Sequence, residues 1–561
     1  MMNSPIKSLT LNEVLKTSTA EYADRISLAE IDGPALTYQE LGKRVTAVSN
    51  LLHGEGIIAG DRVAILSENK PQWGIAFFSI TAMGAIAVPI LPDFHPTEVH
   101  HILRHAGVKA IFISEKLYGK IEEASISSLQ TIVLIESFSL VPGKIMKDKL
   151  AEMLQEGGKE LAKLKEAALK FTGLQSAEVQ EEAIASIIYT SGTTGNSKGV
   201  MLSHKNIISD ALATFHIVNL GTKDRMVSML PLSHAYECTL GLVAPIMKGS
   251  SVYYLDKPPT ARVLLPALQK VKPTVLLTVP LVIEKIYKMR IQPTFKNKLL
   301  LRNLSKISFL RRRLYRAAGK KLIASFGGQL RSYCIGGAAL CPEVELFLRE
   351  AGFPYAIGYG LTETAPLISG TGPENTAYRA AGKALPGVEF RIDQPNPQTG
   401  EGEIWVRGSM VMKGYYQDPH RTEEVLTKEG WFRTGDLGVM DDHGYLYIKG
   451  RLKNMILGPN GENIYPEEIE AVLNEMEEVV ECLVYLRDGK LTAKVFLNYE
   501  LLDARFSAPK VNKDRIEELL DDLRRAANRQ LSSFCRINKM VEQAEPFEKT
   551  PTQKIKRYLY V

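Results

Sequence analysis

The chain runs to 561 residues, 45% hydrophobic and 24% charged, with five cysteines and a formal net charge of +6. Those proportions exclude a disordered, collagen-like or small disulfide-stapled protein, and at roughly 100–200 residues per domain the length predicts about two to four packed units. Cys238, Cys334, Cys341, Cys482 and Cys535 are scattered and free of C-x-x-C spacing, which fits a reducing cytoplasm and argues against a structural zinc site.

The first residues, MMNSPIKSLTLNEVL, carry no apolar core behind a basic stretch, so no signal peptide is expected. Helices are predicted over Tyr38–His53 and Pro96–His105, and short strands over Val63–Glu68, Ala110–Ser114 and Thr131–Ile135. Strands alternating with helices imply parallel sheets with covered faces. Gly74–Leu91 is an uncharged run of 18 residues, close to the roughly 20 that span a bilayer. Its two glycines and Pro89 predict instead a buried helix followed by a buried strand. In HPTEVHHILRH, His101 and His105 share a helix face, but no third zinc ligand accompanies them. Lys147–Phe171, charged and rich in Ala, Leu, Glu and Lys, reads as an exposed helix over the core.

The sharpest feature follows the apolar run IASIIY. Thr190, Ser191, Gly192, Thr193, Thr194, Gly195, Asn196, Ser197, Lys198 and Gly199 supply five hydroxyls, three glycines and one lysine in ten residues. Glycines let the backbone approach an anion, and successive N–H groups with hydroxyls cradle phosphate oxygens. Gly199 stands where a Walker A loop has Ser or Thr after its lysine, so this is a different phosphate loop. Ser191 and Ser203 near His204 form no recognisable nucleophile–base–acid set.

Lys285–Lys321 holds 13 Lys or Arg and no Asp or Glu, interleaved with Leu, Ile, Phe and Tyr. Taking those 13 from the 69 basic residues leaves 56 against 63 acidic, a balance of −7, so the positive charge is local. Such a stretch suits a membrane surface or another anionic partner, the alternative being a solvated basic helix pair. No recognised module for nucleic acid accompanies it.

Tyr359-Gly360-Leu361-Thr362-Glu363-Thr364 follows GFPYAIG and offers an aromatic face, hydroxyls and a carboxylate at a strand-end turn. From Gly387 to Lys449 short runs with frequent Gly predict a small antiparallel sheet or barrel, with Thr434-Gly435-Asp436 inside it. Gly450-Arg451-Leu452-Lys453-Asn454 marks a boundary. Beyond it a helix opens at Pro466, a hairpin turns at Asp488-Gly489, and a second helix covers about Lys513–Gln530, together a compact α+β unit.

These four segments, in this order, resemble the adenylate-forming superfamily of acyl-CoA synthetases, luciferases and peptide-synthetase adenylation domains over nearly the whole chain. PLSHAYE (Pro231–Glu237) and the ending PFEKTPTQKIKR (Pro546–Arg557) are similar to long-chain fatty acyl-CoA synthetases. The resemblance implies an α/β fold. Its large N-terminal part, residues 1–451, would hold two sheet-and-helix subdomains plus a small β-barrel-like one. A small mobile α+β domain, residues 452–561, would follow, hinged at Lys453. It implies that a fatty carboxylate attacks the α-phosphate of ATP to give acyl-AMP and pyrophosphate, and that coenzyme A then takes the acyl group and releases AMP.

Residue by residue, the resemblance implies that Thr190 to Lys198 hold the β- and γ-phosphates, and that Thr190 and Glu363 coordinate Mg²⁺. Gly336, Gly337, Ala338 and Tyr359 would border the adenine, with Gly360 and Thr362 alongside. Asp436 would accept from the ribose hydroxyls, Arg451 would support ribose and phosphate, and His234 would lie beside the carboxylate. Lys554 would be the cation on the α-phosphate, although Gln553 stands where the family often has Gly. The domain swing would bring the Gly458–Asn463 loop to the pantetheine channel.

Ala235 stands where several amino-acid activators hold the substrate ammonium with Asp, which counts against an amino-acid substrate. Thr239–Met247 (TLGLVAPIM) is a candidate wall for an acyl tunnel or ordinary core. The alternatives are an acyl carrier protein as acceptor, another carboxylic acid, or a non-catalytic nucleotide-binding protein. The expected location is cytoplasmic, with peripheral contact to the cytoplasmic membrane face through Lys285–Lys321.

Overall fold

A computed structural model describes residues 6–122, 126–141, 178–190, 197–257, 260–297, 299–457, 463–506, 513–550 and 554–561. The proposed helix over Lys147–Phe171 lies outside them. An eight-stranded sheet runs in the order Gly414–Tyr415, Lys198–Ser203, Ile184–Thr190, Ile86–Ile90, Arg62–Leu66, Ala110–Ile113, Thr131–Leu134, Ser139–Leu140. Its four strands from Ile86–Ile90 to Thr131–Leu134 are parallel and almost wholly buried, as helix-covered strands must be. Tyr38–Gly54 opens on a Thr37–Glu40 capping box and packs Leu41, Val45, Val48 and Leu52 inward, beside the helix Pro71–Ala82, to which Ser49 and Ser79 tie it. The uncharged run forms the helix Pro71–Ala82 and the strand Ile86–Ile90, as expected, with Pro at the first helical turn. Among the described residues no helix is long and apolar enough to cross a membrane.

The second sheet has thirteen strands. Its parallel half is ordered Tyr355–Gly360, Ser332–Ile335, Val275–Thr278, Arg225–Ser228, Ser251–Tyr254, Ile26–Glu30. The β-rich stretch departs from expectation in two ways. Its strands Val388–Asp393, Gly402–Gly408, Phe432–Met440 and Tyr445–Arg451 form no closed barrel, because Tyr445–Arg451 pairs with Gly382–Ala384 and continues the large sheet. Gly414–Tyr415 leaves the group altogether and pairs with Lys198–Ser203 in the other sheet.

Beyond Asn454, helices Pro466–Asn474 and Lys513–Asn528 share a separate core with one face of a three-stranded sheet. The hairpin turns at Asp488 (φ 50°) and Gly489 (φ 70°), the paired positive φ of a type I′ turn. Alternation along Val479–Arg487 sends Cys482 and Val484 into that core and Leu483 and Tyr485 to the opposite face. There they meet Phe547, Ile555 and Tyr560, so the final segment is strapped to the sheet.

Candidate active site

The carboxyl ends of the parallel strands are where ligands bind in open α/β sheets, and three of the sequence motifs leave strands there. Ile184–Thr190 and Lys198–Ser203 are antiparallel with Thr190 opposite Lys198, so the two ends of the intervening segment are fixed neighbours. Ser191, Gly192, Thr193, Thr194 and Gly195 lie outside the described residues. The Thr190 hydroxyl is buried and has no hydrogen-bond partner among the described residues. A side chain at Gly199 would strike Ile187 at 2.8 Å and Tyr189 at 3.1 Å, which fixes glycine at the loop's exit.

The Lys198 ammonium donates to Glu363 Oε1 at 2.7 Å and to the Tyr415 hydroxyl at 2.6 Å, and Tyr415 donates to the same oxygen at 2.9 Å. Burial pushes the Glu363 carboxyl up, but Lys198 outweighs it and holds the pKa below the ordinary carboxylate range. Glu363 is therefore ionised beside Lys198. The turn that carries it is tightly built. Gly360 lies against the Pro366 carbonyl, Thr362–Thr364 forms one 3₁₀ turn, and Leu367 N–H donates to the buried Asp210.

Asp436 and Arg451 face each other across neighbouring strands, with a 2.8 Å ion pair, and the Tyr359 hydroxyl donates to Asp436 at 2.6 Å. Burial raises the Asp436 pKa, while Arg451, Tyr359 and Lys554 oppose the rise. Gly336 and Gly337 leave Ser332–Ile335 directly, Gly337 at φ 86°, and a Cβ on Gly336 would stand 3.2 Å from the Tyr236 ring. Ala338 is exposed beyond them.

His234 Nδ1 accepts from the Tyr236 N–H at 3.2 Å, which leaves Nε2 to carry the ring proton. Burial, then Lys554, lower its pKa to about 4, so the ring is neutral at pH 7. Lys554 keeps solvent access, yet the protein around it and Arg451 lower its ammonium pKa, with Asp436 and Glu363 opposing. Lys198 and Tyr415 bind Glu363, Arg451 and Tyr359 bind Asp436, and the charge of Lys554 acts on Asp436 and His234. Lys453 lies outside the cluster, exposed in the turn Leu452–Asn454 immediately after Arg451. Of the loop Gly458–Asn463, only Asn463 is described.

Two participants escaped the sequence reading. Tyr415 completes the Lys198–Glu363 triangle, and its only signal was the Gly414-Tyr415-Tyr416 run inside an apparently separate β region. Asn69, just past the strand Arg62–Leu66, bonds Ser228, Leu230 and Leu232 and so braces the segment leading to His234. Beside Tyr236 lies an apolar cavity of about 40 Å³, walled by Ile217, Val218, Leu240, Ala244, Leu277 and Leu367 among others. Thr239–Met247 is thus partly cavity wall and partly core. His100 and His105 are tied to Lys120 and Tyr189, and no metal cluster of His, Cys, Asp or Glu occurs among the described residues.

The AMP-binding enzyme profile matches residues 15–416. A long-chain-fatty-acid–[acyl-carrier-protein] ligase of Arabidopsis thaliana is 28% identical, covering 98% of this chain and 85% of its own. A long-chain-fatty-acid–CoA ligase of Mycobacterium bovis is 31% identical over 78% of this chain and 72% of its own. The crystal structure of an anthranilate CoA ligase in complex with anthranoyl-AMP superposes with a TM-score of 0.77 at 21% identity, over 99% of this chain and 97% of that one. Sequence profile, relatives and architecture agree: this chain belongs to the AMP-binding family of adenylate-forming enzymes.

Proposed function

We propose that the protein is an acid–thiol ligase that joins a long-chain fatty acid to coenzyme A through an acyl-adenylate. The observation that carries the reading is the pair of bonded clusters Lys198–Glu363–Tyr415 and Tyr359–Asp436–Arg451, with Lys554, from the end of the chain, acting electrostatically on Asp436 and His234. In this reading Lys198 and the phosphate loop bind the β- and γ-phosphates. Asp436 accepts from the ribose hydroxyls, and Tyr359 borders the adenine with Gly336–Ala338. His234, neutral and protonated on Nε2, donates to the fatty carboxylate without adding a competing charge. A carboxylate oxygen attacks the α-phosphorus as the bond to pyrophosphate breaks. Lys554 and Arg451 stabilise the charge that gathers on the α-phosphoryl oxygens. Thr190, whose buried hydroxyl has no partner among the described residues, and the ionised Glu363 fit Mg²⁺, a hard cation that takes oxygen ligands. When bound, the ion neutralises phosphate charge.

In the second half, the coenzyme A thiolate attacks the acyl carbon and AMP leaves with the bonding electrons. Residues 452–561 act as a domain that turns about Lys453 between the halves, withdrawing Lys554. The apolar lining of the cavity beside Tyr236 favours an alkyl chain over a polar acid. The relative named for an acyl carrier protein keeps that acceptor as the second reading.

The test is acid-dependent ATP–pyrophosphate exchange with Mg²⁺ across acetate, octanoate, palmitate, oleate and several amino acids, then AMP release with coenzyme A or acyl carrier protein. Exchange with the long acids and AMP release on coenzyme A are expected. AMP release on carrier protein alone would move the acceptor, and absence of exchange with every acid would overturn the reading.

A further inference from the structure

The basic stretch Lys285–Lys321 resolves into several helical segments, the longest being Ser308–Ser325. This helix has two unlike faces. The inner one carries Arg311, bound through Nε and Nη2 to Glu350, Tyr315 against Phe347, Gly319 against Ala351, and buried Leu322. The outer one carries Phe309, Arg312, Arg313, Arg316 and Lys320, at the three- and four-residue spacing of a single helix stripe, and all five are exposed. None of the four cations has an acidic partner among the described residues. Phe309 is 60% exposed and Ile307, just before the helix, 55%. The Arg313 guanidinium lies 4.6 Å over the Phe309 ring.

We infer that this face is a docking surface for an anionic membrane, with Phe309 and Ile307 entering the headgroup boundary and Arg312, Arg313, Arg316 and Lys320 pairing with lipid phosphates. Charge alone would suit any polyanion. Two large apolar side chains held in water among unpaired cations are what a lipid surface rewards, since it buries the rings and neutralises the cations together. Arg311 and Lys288 take no part, because Glu350 and the Asn474 carbonyl already hold them. The inference deepens the fatty-acid reading by naming the phase from which the acid is drawn, but binding is measured independently of activity.

The full chain is mixed with vesicles of phosphatidylcholine alone or with phosphatidylglycerol added, and sedimented at low and at physiological salt. Preferential binding to the anionic vesicles, weakened by salt, is expected. Charge reversal at Arg312, Arg313 and Arg316 together should reduce it by at least about tenfold. Phe309→Ser should weaken it while leaving the salt dependence in place. Both variants should keep wild-type melting, which separates docking from folding. Equal binding to neutral and anionic vesicles, or retention of binding by the charge-reversed variant, overturns the inference. So does binding of an acidic carrier protein, and not vesicles, that is lost in the same variant. Vesicle binding without activity on any fatty acid would leave the surface standing and sink the fatty-acid reading instead.

Discussion

Gly360→Ala tests how tightly the carboxylate turn is built. A Cβ at residue 360 would lie 1.8 Å from the Pro366 carbonyl oxygen and 2.8 Å from its carbon, and the obstacle is backbone. Bringing that oxygen to 3.0 Å requires a shift of about 1.2 Å, the difference between the two distances, by one side of the turn or the other. Thr362 and Glu363 lie between the colliding residues, so the displacement passes directly to the carboxylate that Lys198 and Tyr415 hold. Misplacing a catalytic group by about 1 Å costs on the order of 100-fold, so ATP–pyrophosphate exchange should fall by about that factor. Overpacking should also lower stability by about 1–3 kcal/mol, read from urea unfolding. Gly54→Ala is the control, because nothing lies within 4 Å of its Cβ. A folded Gly360→Ala protein with exchange as fast as the control would refute the assignment of Glu363 to the reacting centre.

Acid should destabilise the fold through His204, which is fully buried with Nδ1 accepting from the Leu11 N–H. Burial lowers its pKa from 6.5 to about 4, so the unfolded chain binds the proton more tightly. Its contribution is complete above pH 6.5 and is lost as pH falls toward 4, by about 3 kcal/mol in all. His204→Asn, whose amide oxygen replaces the acceptor, should flatten the pH dependence of the urea midpoint between pH 6.5 and 4; an unchanged slope would rule this out. A second prediction concerns Glu470, which binds Arg557 at 2.6 Å, accepts from the Val484 N–H at 2.6 Å, and so anchors the 3₁₀ turn that opens three residues after Lys554. Glu470→Gln should lower pyrophosphate exchange at least about tenfold while sparing thioester formation from supplied acyl-AMP, since only Lys554 is displaced. Equal losses in both halves would show a merely structural role.

Local signals were strong wherever one residue type sufficed to set the geometry. The Pro96–His105 helix has the expected bounds because Pro96 opens it and Glu98 completes its cap. The Asp488-Gly489 turn needed only two residues that tolerate positive φ. The phosphate loop and the Asp436–Arg451 pair were legible as motifs, but not as neighbours, because ladder register is set by partners far along the chain. That is also why the barrel failed: Gly382–Ala384 is only three residues long, yet it joins the β-rich strands to the large sheet. Tyr415 was missed for the same reason. Two residues crossing to another sheet carry no periodicity, and only the folded register shows that Gly414 opposes Met201 and brings Tyr415 to Lys198. In the basic stretch, composition gave the charge, whereas the sorting of Arg311 inward and Arg312, Arg313 and Arg316 outward needed Glu350 in place.

The most direct test of the central claim separates the two half-reactions in Lys554→Ala. Removing one fixed cation from the adenylation centre should slow ATP–pyrophosphate exchange by about 10²–10³-fold. Thioester formation from supplied acyl-AMP and coenzyme A should proceed at close to the wild-type rate, because the proposed domain swing would withdraw Lys554 from that step. Comparable losses in both, or exchange that survives the substitution, would contradict the account.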